Sequence, residues 1–186
     1  MNIPATVRGP RLGELLSLFP TADDFSAVEA LSPEEVPSPY RELLVHEHHM
    51  TVTVEAHHGD HVNVQIENRR HDGPYYARRI FLALQKSGRV VQYGLVRIDL
   101  RHCAPEVRSE IIAGETPLGR ILINHDVLRR IEPTGFLRVV PGPALVDRFG
   151  LAEPRPTYGR LAYIHCDGKP AIELLEVVAP EAEPRP

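Results

Sequence analysis

At 186 residues, with 42% apolar content and a net charge of −4, the chain is long enough for one domain with its own core and too apolar for general disorder. Its 21 basic and 25 acidic residues create no positive field to draw nucleic acid or anionic lipid. Two cysteines, Cys103 and Cys166, are too few for a disulfide framework, and with no long apolar run or leader in view a soluble, cytoplasmic protein is expected.

Leu12, Leu15, Leu16 and Phe19 recur at helical spacing, and Thr21 stands where it would cap a second short helix from Asp23 to Leu31. The proline-rich stretch Ser32 to Pro39 reads as a stiff connector, after which Ser38 and Pro39 open a helix through Tyr40, Leu43 and Leu44. From Met50 the apolar period changes to two. Met50, Val52, Val54 and Ala56 alternate with polar residues, and after Gly59 and Asp60 the pattern resumes as Val62, Val64 and Ile66, which predicts a β-hairpin. A second hairpin joins Tyr75 to Leu84 with Arg89 to Leu100 around Ser87 and Gly88. Pro105 and Pro117 suit first helical turns and predict helices over 105–113 and 117–124, and Gly135 to Val140 reads as a strand. Tyr158 to Cys166 and Pro170 to Ala179 bracket Asp167-Gly168, a tight hairpin turn. The class is therefore α+β, a mostly antiparallel sheet covered by short helices. A single domain over 1–180 is expected, helical over 1–49 and built on the sheet over 50–180, with a frayed tail at 181–186.

The informative residues are charges on apolar strand faces. In the last strand Ile172, Leu174, Glu176 and Val178 share one face, with Glu173 on the other. A buried carboxylate either takes up a proton or finds a cationic mate, and either state suits a general acid; the alternative is a wet edge strand. Arg78 shares a face with Tyr76, Ile80, Leu82 and Leu84 while Arg79 falls on the opposite one, so one of the two is expected to point inward. There a guanidinium would clamp a ligand carboxylate, or pair with a glutamate to hold the sheet. Seven histidines between His46 and His71 invite a metal reading, but Met50 stands where the second histidine of a zincin helix belongs, and His57 and His61 flank a turn as solvated histidines do. No metal or cofactor is expected. His102 and Cys103 are neighbours whose side chains would point apart on a strand, which disfavours a nucleophile-base pair.

The segments GETPLGRIL at Gly114 to Leu122 and GKPAIELLEVVAP at Gly168 to Pro180 resemble the chorismate pyruvate-lyase (4-hydroxybenzoate synthase) family. A weaker likeness runs through RRIFL and the Leu44 to Thr51 segment. The resemblance implies a six-stranded antiparallel sheet enclosing an aromatic ligand under helical flaps. It implies a cofactor-free lyase that eliminates pyruvate from chorismate or a relative, with Glu176 and Arg78 as its catalytic pair and Met50 and Leu118 at the substrate. Two departures accompany it. One extra residue lies between GKP and the glutamate, so a bulge could bring Glu173 inside in place of Glu176. The family's second arginine is replaced by Leu95, with Arg97 and Arg120 the candidates to compensate. The same fold is similar to the UTRA effector-binding domains of GntR-type regulators, so a non-catalytic binder of a small aromatic carboxylate is the alternative, and a histidine-rich metal-binding protein a third. The partner expected is a small aromatic or pre-aromatic carboxylate, without nucleic acid or membrane, for a monomer or dimer.

Overall fold

The computed structural model describes residues 11–20 and 23–181. Thr21, the expected helix cap, and residues 182–186 of the expected frayed tail lie outside that range. Among the described residues thirteen α-helices and β-strands follow in chain order: α1 (Leu12–Leu18), β1 (Phe25–Leu31), α2 (Tyr40–Leu44), α3 (Met50–His58), β2 (Val62–Asp72), β3 (Tyr75–Leu84), β4 (Val90–Asp99), α4 (Pro105–Ala113), α5 (Leu118–Asn124), β5 (Arg129–Pro141), α6 (Pro143–Arg148), β6 (Thr157–Cys166) and β7 (Lys169–Val178).

The strands form one seven-stranded sheet in the order β1-β5-β6-β7-β4-β3-β2, every pair antiparallel. Two meanders, β2-β3-β4 and β5-β6-β7, meet where β4 pairs with β7. The chain between them supplies α4 and α5, which lie over one face. Period-two alternation sorts the side chains. Ile172 and Leu174 pack with Val107 and Ile111 of α4 and Ile121 of α5, and Val178 packs with Leu44 of α2 and Met50 and Val54 of α3. The intervening Leu175 and Val177 face α1 and α6 through Leu15 and Leu145. Both faces are thus covered, as continuous apolar runs in β3, β4 and β7 require.

Three elements differ from the sequence expectation. Met50–His58 is a helix, not the first arm of a hairpin. Its β-branched residues favour strand, but helical spacing buries Met50 and Val54 at 2% and 0% exposure while leaving Val52 at 41%, whereas a strand would have put all three on one face. Gly59, in the left-handed region at φ 62°, ends the helix. The first hairpin is instead β2-β3: β2 continues to Asp72, and Val62, Val64 and Ile66 pair with Leu84, Leu82 and Ile80. Phe25–Leu31 is a strand, so the segment over 1–49 is not wholly helical. The Ala, Glu and Leu content of FSAVEAL favours helix, but pairing along β5 from Phe25↔Pro141 to Leu31↔Phe136 overrides that preference. With Met50–His58 lost to helix and this strand gained, the sheet has seven strands, one more than the family resemblance implied.

Candidate functional site

The site lies under the helices α3 and α5, where the two apolar clusters of that face are separated by charge. Arg78 of β3 stands opposite Val96, and Glu176 of β7 stands between Gly94 of β4 and Arg160 of β6. A cavity of about 40 Å³ is lined by Arg78, Gln92, Gly94, Glu176, Met50 and Leu118 among others. Gly94 keeps its floor open, since a Cβ there would already come within 3.1 Å of Ile80 Cδ1. The roof is the seam between the first turns of α3 and α5. At Gly119 a Cβ would stand 3.0 Å from Thr51 Oγ1 and 3.1 Å from His49 Cβ, so this glycine permits the close approach.

Arg78 is 1% exposed, and its Nε and Nη1 have no hydrogen-bond partner among the described residues. Burial pushes its guanidinium below the ordinary value, with Tyr76 opposing. No carboxylate among the described residues makes an ion pair with it. Arg79 is also buried, contrary to the expectation that only one of the two would be. On the opposite face its Nη1 donates to Asp24 Oδ2 at 3.0 Å and it pairs with Glu67. One arginine is held by carboxylates; its neighbour faces a cavity.

Glu176 has found its cationic mate in Arg160, which is 1% exposed. Arg160 Nε donates to Glu176 Oε2 at 2.8 Å. Nη1 donates to the carbonyls of His46 at 2.9 Å and Leu44 at 3.3 Å, and Nη2 to that of His48 at 3.1 Å. Arg160 therefore ties the connector between α2 and α3 to the sheet. In this pairing the Glu176 carboxylate accepts through Oε2 from Arg160 Nε. Next along the connector, His49 Nε2 accepts from Arg129 Nε at 2.7 Å. Burial first, then Arg129, lowers the His49 pKa from 6.5 to about 4; burial first, then Arg160, does the same for His46. Both are neutral imidazoles built into the roof.

Of the residues singled out in the sequence, Arg78, Glu176, Met50 and Leu118 come together at this cavity. Arg97 and Arg120 do not. Arg97 lies on the opposite face, paired with Glu173 and, at 3.3 Å, with Glu14, while Arg120 pairs with Glu55. Glu173 does not replace Glu176. The extra residue of the closing hairpin is taken up near its turn, where Ile164 pairs with Ile172 and His165 with Pro170, leaving Ala171 without a partner in register. Leu95 is buried in the core of the other face. Sequence reasoning missed Arg160 and Gln92. Each was detectable by the rule that singled out Arg78: Arg160 shares a face with Ala162 and Ile164, and Gln92, 3% exposed with Oε1 unpartnered, stands in the run VVQYGLV.

The sheet order and helix placement define an α+β domain, one seven-stranded antiparallel sheet covered by helices. PhnF from Mycobacterium smegmatis is similar to it with a TM-score of 0.54 and 13% identity, over 70% of this chain and 63% of PhnF. A domain described as the ligand-binding domain of a GntR-family transcriptional regulator from Bordetella bronchiseptica gives 0.48 and 14%, over 63% of this chain and 85% of that one. At such identities the likeness is one of fold. No protein-family model and no curated protein matches the chain. Among the described residues, no helix is long and apolar enough to cross a membrane.

Proposed function

We propose that the domain binds a small aromatic carboxylate in this cavity, its carboxylate on Arg78, and does not turn it over. The observation that carries this reading is the pair of buried Arg78 N–H groups without a partner. A buried guanidinium left unpaired is costly, and a ligand carboxylate reaching one of these edges answers its charge. The remaining wall supports an apolar ring: Ile80, Leu82, Val96, Leu174, Met50 and Leu118. At about 40 Å³ the cavity has room for a few waters, at roughly 10–15 Å³ each. A ring is admitted when Met50 and Leu118 part along the seam between α3 and α5.

Fold alone does not choose between a binder and a lyase. The Glu176–Arg160 pair favours the binder, because it gives Glu176 a structural task in holding the connector over the cavity. The test is calorimetric titration with benzoate and 4-hydroxybenzoate, together with incubation with chorismate while following pyruvate. Saturable 1:1 binding of the carboxylates, lost in Arg78→Met, with no pyruvate released, is the expected result. Sustained pyruvate release would replace the binder with the lyase, and no binding by any of these ligands would end the aromatic carboxylate reading.

A further inference from the structure

A second cluster of ligating groups lies at the far end of α3, away from the cavity. His57 and His58 form the last helical turn, where the carbonyl ends of the helix favour a cation. Glu181 follows β7, and its backbone N–H donates to Tyr40 Oη at 2.8 Å, which fixes its carboxylate beside the helix. His57 Nε2 stands 3.2 Å from Glu181 Oε1. One ligand atom from each of His57, His58 and Glu181 lies within 4.8 Å of the others. Donors around a tetrahedral zinc ion, each at about 2.0–2.1 Å, are separated by about 3.3 Å. The His57–Glu181 pair already has that spacing, and modest ring rotation brings in His58.

We propose that His57, His58 and Glu181 form a site for a divalent late transition-metal ion, zinc being the expected one, that clasps the end of α3 to the chain leaving β7. Two imidazoles and one carboxylate suit zinc, nickel or copper and not the harder magnesium or calcium ions. The remaining coordination positions fall to water. Arg89 is the competitor. Its Nη2 lies 3.2 Å from His58 Nδ1, and while it donates there the ring proton sits on Nε2, so His58 ligates once Arg89 turns away. His61, the partner that sequence spacing offered His57, is instead 3.3 Å from Glu55 and stands outside the cluster.

The test uses the full chain, titrated with zinc ion by calorimetry and followed by thermal unfolding. One ion per chain is expected, and zinc at a hundredfold excess over Kd should raise the unfolding midpoint by about 5–10 °C. His57→Ala and Glu181→Gln should each weaken binding about tenfold or more, a loss of about 1.4 kcal/mol. Arg89→Ala should tighten it, and His61→Ala should leave it unchanged. Absence of saturable binding overturns the site. So does binding that survives His57→Ala and Glu181→Gln, or that falls equally with His61→Ala, since the ion would then sit on other histidines of the chain.

Discussion

Replacing Arg78 by methionine should make the ligand-free protein more stable and, at the same time, unable to bind a carboxylate. The side chain is 1% exposed with Nε and Nη1 unpartnered, and each such buried donor costs about 1–3 kcal/mol. Water admitted to the 40 Å³ cavity recovers part of that, and a thioether of similar length keeps the packing beside Val96 and Ile80. The net gain is estimated at about 1–3 kcal/mol. For a chain of 186 residues that is a rise in the unfolding midpoint of about 2–12 °C, at roughly 2–4 °C per kcal/mol. Urea and thermal unfolding without ligand measure the first half, and calorimetric titration with benzoate measures the second. If Arg78 instead tied the sheet together through a partner, its loss would cost about 3–5 kcal/mol. A destabilised Arg78→Met variant, or one that still binds benzoate, would refute the assignment.

Arg160→Met should cost about 3–5 kcal/mol, because it leaves Glu176 buried without its cation and removes the tie to the carbonyls of Leu44, His46 and His48. Glu176→Gln should cost only about 1 kcal/mol, since the amide oxygen still accepts from Arg160; urea midpoints in the reverse order would overturn the latch. Acid should loosen the roof. The His49 pKa lies at about 4 in the folded state against 6.5, so between those values the unfolded chain takes up a proton that the folded one does not, and stability falls as pH drops. His49 alone accounts for about 2 kcal/mol between pH 7 and 5, and a urea midpoint unchanged over that interval would contradict it. Gly119→Ala gains up to about 1 kcal/mol of helix propensity but forces its Cβ against Thr51 and His49. A weakened affinity for benzoate is expected as the seam is wedged, and calorimetry showing unchanged affinity would remove this contact from the closure.

Strands whose side chains alternate against a fixed core were legible from the sequence, because a period of two leaves little choice. β3, β4, β6 and β7 follow the expected ranges closely. Segments whose state is decided by tertiary contact were not. TVTV in Met50–His58 has the composition of a strand and becomes a helix because Met50 and Val54, four residues apart, fill the space above β2 and β3. AVEA in Phe25–Leu31 has the composition of a helix and becomes an edge strand because β5 offers it an open edge. In both, local preference of a few tenths of a kcal/mol per residue yields to burial worth about 1.5–3 kcal/mol for each large apolar side chain.

The same logic explains what was legible of the site. Arg78 and Glu176 stood out because each interrupts an apolar face of one strand, and a single strand suffices to see that. Their lack of mutual pairing needed the register between strands. Arg160 lies directly across from Glu176, whereas Arg78 lies two strands away, opposite Val96. That offset gives the two arginines different work. The one beside the glutamate is neutralised and spends its remaining donors on the connector over the cavity. The other keeps its charge with two donors unspent, which is a stable arrangement only when something anionic and small arrives to meet them. The glutamate held by that guanidinium keeps the roof in register with the floor. Closure over the ligand and recognition of its charge then fall to separate arginines, so Arg160→Met should loosen both carboxylate and non-carboxylate ligands, whereas Arg78→Met should discriminate by charge.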